Sequence, residues 1–263
     1  MNQPRWPLPK RDPWSTPFAE TLLSQLDLTP GLSILDVACG HGIPAFYLAE
    51  QTGPSGKVLG IDVHPTQLAR ARSIQGQQLP WLEFAEHDVR NLPSTLPEFD
   101  RITGNLSFMF FRPDRFTALK DLLQHLRLGG QIALTFPSMG TFDSLWQRVN
   151  HEMTTRGLDQ ERTKLWEYIH ERPSALDAQQ WLEQLGMERI VVEDQPLEIE
   201  TGPGQEFLWH PLLRGGFLED VFECFEHQED AEEFMTAISH DVTSFIPLVA
   251  QRCVMAGWKT KPY

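Results

Sequence analysis

Three acids and a pair of glycines are the residues best placed to do chemistry. Asp36 lies at the end of the apolar run Ile34-Leu35-Asp36-Val37 and is followed by Ala38-Cys39-Gly40-His41-Gly42-Ile43-Pro44. Asp62 closes a second apolar run at 57–62, and Asp88 follows a third at 82–86. A carboxylate is costly to bury without hydrogen-bond partners, so an acid at the end of a buried strand marks a place where something must meet it. Gly40 and Gly42 permit a tight turn and a close backbone approach that a Cβ would exclude. Pro44 suits the first turn of a helix, where its missing N–H costs nothing. An acid, a glycine turn and a helix start together describe a nucleotide-type site at the edge of a parallel sheet.

The elements that must position these residues are read from hydrophobic spacing. Phe18, Leu22, Leu23 and Leu26 predict a helix that Pro30-Gly31 ends. Strands are expected at 33–38, 57–62, 82–86, 99–105 and 131–136, alternating with helices at 44–50, 66–75 and 114–126. Arg101 and Thr103 make the fourth strand less apolar than the first two, and Leu128-Gly129-Gly130 is expected to supply the C-terminal glycine of the last of these helices. Strands alternating with helices through short turns predict an α/β, doubly wound parallel sheet. Beyond residue 137 the pattern changes. A polar stretch from 139 to 168 is helical in parts, and Ser174, with Asp177 three residues on and Gly186 as the stop, frames a further helix. A strand at 188–192, an acidic stretch at 202–240 with helical spacing at Phe217, Leu218, Val221, Phe222 and Phe225, and a last strand at 244–258 complete the chain.

Composition narrows the ligand. The formal charge is −14 with no cluster of Lys and Arg, which argues against a nucleic-acid substrate. No apolar run is long enough to span a bilayer, and the first residues lack the apolar core of a signal peptide. Cys39, Cys224 and Cys253 are too few and too scattered for a disulfide framework or a metal site, so no metal is expected and the cytoplasm is the natural compartment. The nine acids and no Lys or Arg between 215 and 251 read as a solvated helical face. Composition does not reach oligomeric state.

Two readings of the glycine turn compete. Gly40-His41-Gly42-Ile43-Pro44-Ala45 matches the G-x-G-x-x-A form of the dinucleotide fingerprint, with Asp62 about twenty residues on, which points to NAD. Asp36 is then an awkward neighbour, because a phosphate-binding turn favours negative ligand charge. A ligand with a cationic head removes the difficulty. The sulfonium and amino group of S-adenosylmethionine are such a head, and that molecule has no phosphates.

At this point the chain resembles the class I S-adenosylmethionine-dependent methyltransferases, and most of all the branch of ubiquinone/menaquinone-biosynthesis and related small-molecule enzymes. The segments LTPGLSILDVACGHG, GIDVHPTQLARAR, EHDVRNLP, FDRITGNLSFMFF and LRLGGQIALTFP carry the resemblance in order and spacing. It covers residues 18–136 strongly, continues through 174–192 and fades elsewhere. The fold it implies is a seven-strand Rossmann-like sheet with a helical lid. Residues 1–30 would form an N-terminal arm and helix and 31–136 the cofactor-binding core. Residues 137–263 would complete the sheet through about 174–192 and 244–258, with lid insertions at about 139–172 and 202–240.

The resemblance also implies roles. Asp36 would organise the loop and the methionine amino group, with Ala38, Gly40 and Gly42 forming the turn beneath it; Ala38 replaces a commoner glycine. Asp62 would hold both ribose hydroxyls, which its acceptor capacity allows. Val63 and Gln67 would lie against the adenine ring, Asp88 would accept from the adenine amino group, and the Val89 N–H would donate to the ring. Asn105 and Leu106 would face the methionine portion and the reacting methyl.

Methyl transfer from a sulfonium is an in-line displacement, so the protein mainly aligns the partners and excludes water. A general base is needed only when the acceptor must lose a proton. His210, beside Trp209 and Pro211, and His41, in the turn, are the candidates; His151 lies in the other variable stretch. The apolar segment Ser107-Phe108-Met109-Phe110-Phe111 either lines a substrate pocket or packs in the core. The expected function is methylation of a small, partly apolar metabolite on O, C or N. A non-catalytic S-adenosylmethionine-binding sensor or partner protein and an NAD-type oxidoreductase are the alternatives. Trp6, Trp14 and Phe18 suggest an arm that closes over the cofactor or simply packs on the domain.

Overall fold

The apolar runs that end in acids become the central strands of one sheet. The computed structural model describes residues 14–199, 204–210, 213, 217–241 and 246–261. Its elements run α1 (Ser15–Ser24), β1 (Ser33–Val37), α2 (Ala45–Thr52), β2 (Lys57–Asp62), α3 (Pro65–Gln75), β3 (Leu82–Glu86), β4 (Phe99–Gly104), α4 (Arg115–Leu122) and β5 (Leu126–Pro137). They continue α5 (Asp143–Arg156), α6 (Asp159–His170), α7 (Ala175–Gln184), β6 (Glu188–Ile199), α8 (Gln205–Leu208), α9 (Leu218–Phe222), α10 (Gln228–Ser239) and β7 (Leu248–Trp258). The expected arm up to residue 13, with Trp6, lies outside the described residues, as do Gly202, Pro211 and the expected strand start at 244–245.

The seven strands lie in the order β3-β2-β1-β4-β5-β7-β6. β1 pairs in parallel with β2 and with β4, β2 with β3, and β4 with β5. The backbone bonds Lys259 N–H to Gly130 O and Ser138 N–H to Gln251 O show that β7 runs antiparallel to β5, since one partner rises in number as the other falls. The chain leaves β1 toward β2 and β3 and returns to start β4 on the other side. The carboxyl ends of β1 and β4 therefore form the topological switch point where ligands bind in such sheets. Side chains alternate across the sheet. Ile34 packs with Phe46, Leu48, Val58 and Phe84 on one face, and Leu35 and Val37 with Ile102, Phe108, Leu122 and Leu134 on the other.

Several expected boundaries move, each for a physical reason. The helix expected over 114–126 ends at Leu122 and passes through a short turn of tighter helix into β5, which starts at Leu126. Leu128-Gly129-Gly130 is thus not a helix cap but part of a strand. Phe99 pairs with Leu126 and Arg101 with Gln131, so residues 127–130 bulge out of register. β6 continues to Ile199, past the expected 192, because it lies at the sheet edge, where Glu193, Asp194 and Pro196 are tolerated. The polar residues of β4 are both used. Arg101 Nε donates to Asp27 O at 2.8 Å with its guanidinium over Trp258, and Thr103 meets Asp36.

The chain divides into two compact units. The first comprises residues 1–136, 175–194 and 253–263, and holds the cores described above. The second comprises 137–174 and 195–252, so the two insertions are longer at both ends than the sequence suggests. Within the second unit Arg172 is a centre of order. Its guanidinium lies 4.9–5.1 Å from the ring centroids of Tyr168, Phe217 and Trp146 and donates to Thr141 O at 2.9 Å. No helix among the described residues is long and apolar enough to cross a membrane.

Candidate functional site

The turn after β1 is held from β2. Cys39 N–H donates to Ile61 O, Gly40 N–H to Asp62 Oδ2 at 2.8 Å, and Gly42 N–H to Cys39 O. Asp62 Oδ1 accepts from His64 N–H at 2.9 Å, so its carboxylate ties the glycine turn to the end of its own strand. The backbone is left-handed at Ala38 (φ +52°), Gly40 (+54°) and Gly42 (+99°). Ala38 thus occupies a conformation that costs an L-residue about 1–2 kcal/mol, the physical reason glycine is commoner there. A Cβ on Gly42 would fall 2.5 Å from the Phe46 ring, whereas a Cβ on Gly40 would meet nothing within 4 Å. Gly42 is fixed by packing; Gly40 borders open space.

Asp36 is fully buried on the same turn's approach, paired in register with Thr103 of β4. Thr103 donates its hydroxyl to Asp36 Oδ1 at 2.8 Å, and Asp36 Oδ2, also buried, has no partner. Burial pushes the carboxyl up to about 7, the Thr103 hydrogen bond opposes that, and the neighbouring Asp62 charge adds to it. The resemblance implies that Asp36 organises the loop; the hydrogen bonds tie the turn to Asp62 as well. Asp36 thus keeps one buried carboxyl oxygen without a partner. Cys39, between them, is buried and its thiol is pushed far up, chiefly by burial, which makes it inert.

The remaining expected residues gather around the same strand ends. Val63 is exposed, and Gln67, on the next turn of α3, has a buried Oε1 without a partner. Asp88 is gripped by Arg90, whose Nε lies 2.9 and 3.1 Å from its two oxygens and whose second nitrogen lies 2.6 Å from Oδ2. That hydrogen bonding holds the Asp88 carboxyl below its ordinary value. An adenine amino group would therefore share this carboxylate with Arg90. Val89 turns its side chain into the main core. Asn105 is likewise engaged: its Nδ2 donates to Ser15 O at 3.1 Å and its Oδ1 accepts from Thr135 at 2.9 Å. Thr135 Oγ1 also accepts from the N–H of Leu106, which is left-handed at φ +53°.

Thr103 and Thr135 are the site residues that sequence reasoning missed. Their signal is a hydroxyl inside an otherwise apolar strand, at a register position opposite an acid or a strand-end turn. His41 sits half-buried between the two glycines, with the rest of the set. His210 belongs to the second unit, where its backbone N–H donates to Phe207 O. Phe108 and Phe111 are fully buried in the main core, while Phe110 is 58% exposed, so the aromatic segment is mostly packing. Among the described residues no group of three or more His, Cys, Asp or Glu is placed to hold a metal ion.

A buried unpaired carboxylate oxygen, an open face at Gly40 and an unsatisfied amide oxygen on α3 suit a ligand with a cationic head and a polar ring. The comparisons agree with that geometry. Residues 34–130 match the family described as "Methyltransferase domain". The chain is 36% identical over 115 residues to the demethylmenaquinone methyltransferase of Lactococcus lactis, covering 43% of this chain and 45% of that one. It is 34% identical over 122 residues to the trans-aconitate 2-methyltransferase of Azoarcus, covering 46% of each. It thus spans a little under half the length of these curated relatives. In fold it is similar to the YcgJ protein of Bacillus subtilis, with a TM-score of 0.61 at 14% identity over 93% of this chain and 99% of that one. Residues 34–130 thus match a methyltransferase domain, and the sheet that carries them has the Rossmann-like order seen above.

Proposed function

We propose that the protein transfers the methyl group of S-adenosylmethionine to a small, partly apolar metabolite, at an oxygen, carbon or nitrogen atom. The observation that carries this reading is the buried Asp36, whose Oδ2 has no partner beside the glycine turn. A sulfonium supplies an activated methyl and leaves as a neutral thioether. The residues of the chain have four tasks. Asp36 holds the ammonium of the methionine part and gives up its own proton as it does so. Asp62 keeps one lone pair on each oxygen beyond those used by Gly40 and His64, and these face the ribose hydroxyls. Val63 and Gln67 border the adenine, with Asp88 and the Val89 N–H at its edge. Asn105 and Leu106, fixed by Thr135 and Ser15, frame the methyl.

The acceptor's lone pair displaces sulfur in line, and alignment with exclusion of water supplies most of the rate. Where the acceptor carries a proton, His41 is the nearest candidate base in this set, and His210 the candidate from the second unit. The three cysteines are free and buried, which supports a reducing compartment such as the cytoplasm. An excess of acid supports a small-molecule acceptor over a nucleic acid.

Calorimetry with S-adenosylmethionine, S-adenosylhomocysteine and NAD tests the cofactor, and binding of NAD alone would overturn the reading. Incubation of a metabolite extract with a labelled methyl donor then tests the reaction. Labelled product is expected. Tight cofactor binding with no labelled acceptor in any extract would mark a sensor instead of an enzyme.

A further inference from the structure

The second unit contains a cavity of about 340 Å³ that the methyl-transfer reading does not use. It lies between the first half of α5 and the last turns of α6. Asp143, Trp146, Gln147 and Asn150 come from α5 at helical spacing, and Leu165, Trp166, Ile169 and His170 from α6. A cavity this size holds a small organic molecule. Trp146 and Leu165 are buried, while Trp166 is 44% exposed and packs at a tilt against His170, with ring centroids 4.5 Å apart. Asn150 Oδ1 is buried and has no hydrogen-bond partner. A buried acceptor without a partner is costly, so a donor brought to it gains more than at a satisfied site.

Among the described residues that line the cavity Asp143 is the one carboxylate and there is no Lys or Arg, although the Arg172 guanidinium lies 5.1 Å from the Trp146 ring. The second unit as a whole carries 18 Asp and Glu against 7 Lys and Arg, which is 11 of the chain's 14 net negative charges. The carbonyl end of α6 also points its partial negative charge into this region. Indole faces attract cations as well as apolar bodies.

We propose that this cavity binds an organic amine: an apolar or aromatic body against Trp146, Leu165 and Trp166, with a protonated nitrogen donating to Asn150 Oδ1 and facing the Asp143 carboxylate. The site lies within the second unit and requires no bound cofactor, so its failure and the failure of the methyl-transfer reading are separately visible.

Three probes of one size decide it: phenethylamine, 2-phenylethanol and phenylacetate, titrated into the cofactor-free full chain while tryptophan fluorescence is followed. Phenethylamine should saturate below about 10 mM and bind about tenfold more tightly than 2-phenylethanol, with phenylacetate weaker still. Asp143→Asn, at an exposed position, should remove the preference for the amine while leaving the alcohol unchanged. Asn150→Leu should weaken the amine about tenfold. No saturation by the amine, equal binding of amine and alcohol, or an unchanged preference in a folded Asp143→Asn protein would each overturn the proposal.

Discussion

Replacing Asp36 with asparagine should stabilise the cofactor-free protein, and by an amount that depends on pH. The Asp36 carboxyl is raised from 3.8 to about 7, chiefly by burial, against the Thr103 hydrogen bond. In the unfolded chain it releases its proton near the ordinary value; in the native state it holds it to near neutrality. Between those limits the native state binds more protons than the unfolded one, so stability falls as pH rises through the window and levels off above about 7. Below the ordinary value both states are protonated and the effect vanishes. A rise from 3.8 to about 7, at 1.36 kcal/mol for each tenfold change in proton affinity, puts the full penalty at about 4 kcal/mol.

Asparagine cannot ionise. Its carbonyl can still accept from Thr103, and its amide stands where the protonated acid places its O–H. The variant therefore mimics the low-pH native state at every pH. Urea unfolding at pH 5.5 and pH 8 is the assay. The stability difference, variant minus wild type, should grow by about 2 kcal/mol between the two, since about half of the window lies above pH 5.5. Saturating S-adenosylmethionine should reverse the order at pH 8, because the cofactor's ammonium stabilises only the carboxylate. A difference that stays constant across pH would refute the reasoning, whatever its size.

Three further outcomes follow from the geometry. Gly42→Ala should destabilise by about 2–3 kcal/mol because its Cβ would enter the Phe46 ring, whereas Gly40→Ala, with open space, should cost only about 1–2 kcal/mol of backbone strain and weaken cofactor binding; unfolding and calorimetry on both variants separate the two effects. Phe108→Ala should lose about 3–5 kcal/mol as a core deletion, while Phe110→Ala, largely exposed, should stay within about 0.5 kcal/mol by the same denaturant assay. Arg90→Ala should leave the melting temperature unchanged, since its pair with Asp88 is exposed, and should keep or tighten cofactor affinity by freeing that carboxylate; weaker affinity would assign the adenine contact to Arg90 itself.

The central strands were legible because β1 and β2 are buried on both faces and their hydrophobic runs are broken only where Asp36 and Asp62 stand. The glycine turn was legible for the same reason: few residue types tolerate left-handed backbone. Partnership was not legible. Asp36 and Thr103 are 67 positions apart, and only the parallel pairing of β1 with β4 shows that one faces the other. The contacts of the Asn105 amide with Thr135 and with Ser15 at the start of α1 are ones that no local pattern announces. The far end of β6 is not legible because Pro196 and its neighbouring acids resemble a loop until the strand is known to be an edge. The glycines at 129–130 resemble a helix stop until the register shows a bulge.

The two acids of the turn divide their work, and the division has a thermodynamic signature. Asp62 receives two backbone amides; Asp36 is fully buried, receives one hydroxyl and keeps its proton to about pH 7. A cation arriving at the turn lowers the Asp36 carboxyl again, so binding must expel a proton at pH values where the free site is protonated. At pH 6 the release should approach one proton per cofactor, and it should decline as the free site loses its own proton above pH 7. Calorimetric titration in two buffers of different ionisation enthalpy measures this number directly. The Asp36→Asn protein should release none. Equal heats in both buffers at pH 6 would mean that Asp36 is already ionised or does not meet the cation, and the assignment of the methionine end to this carboxylate would fall.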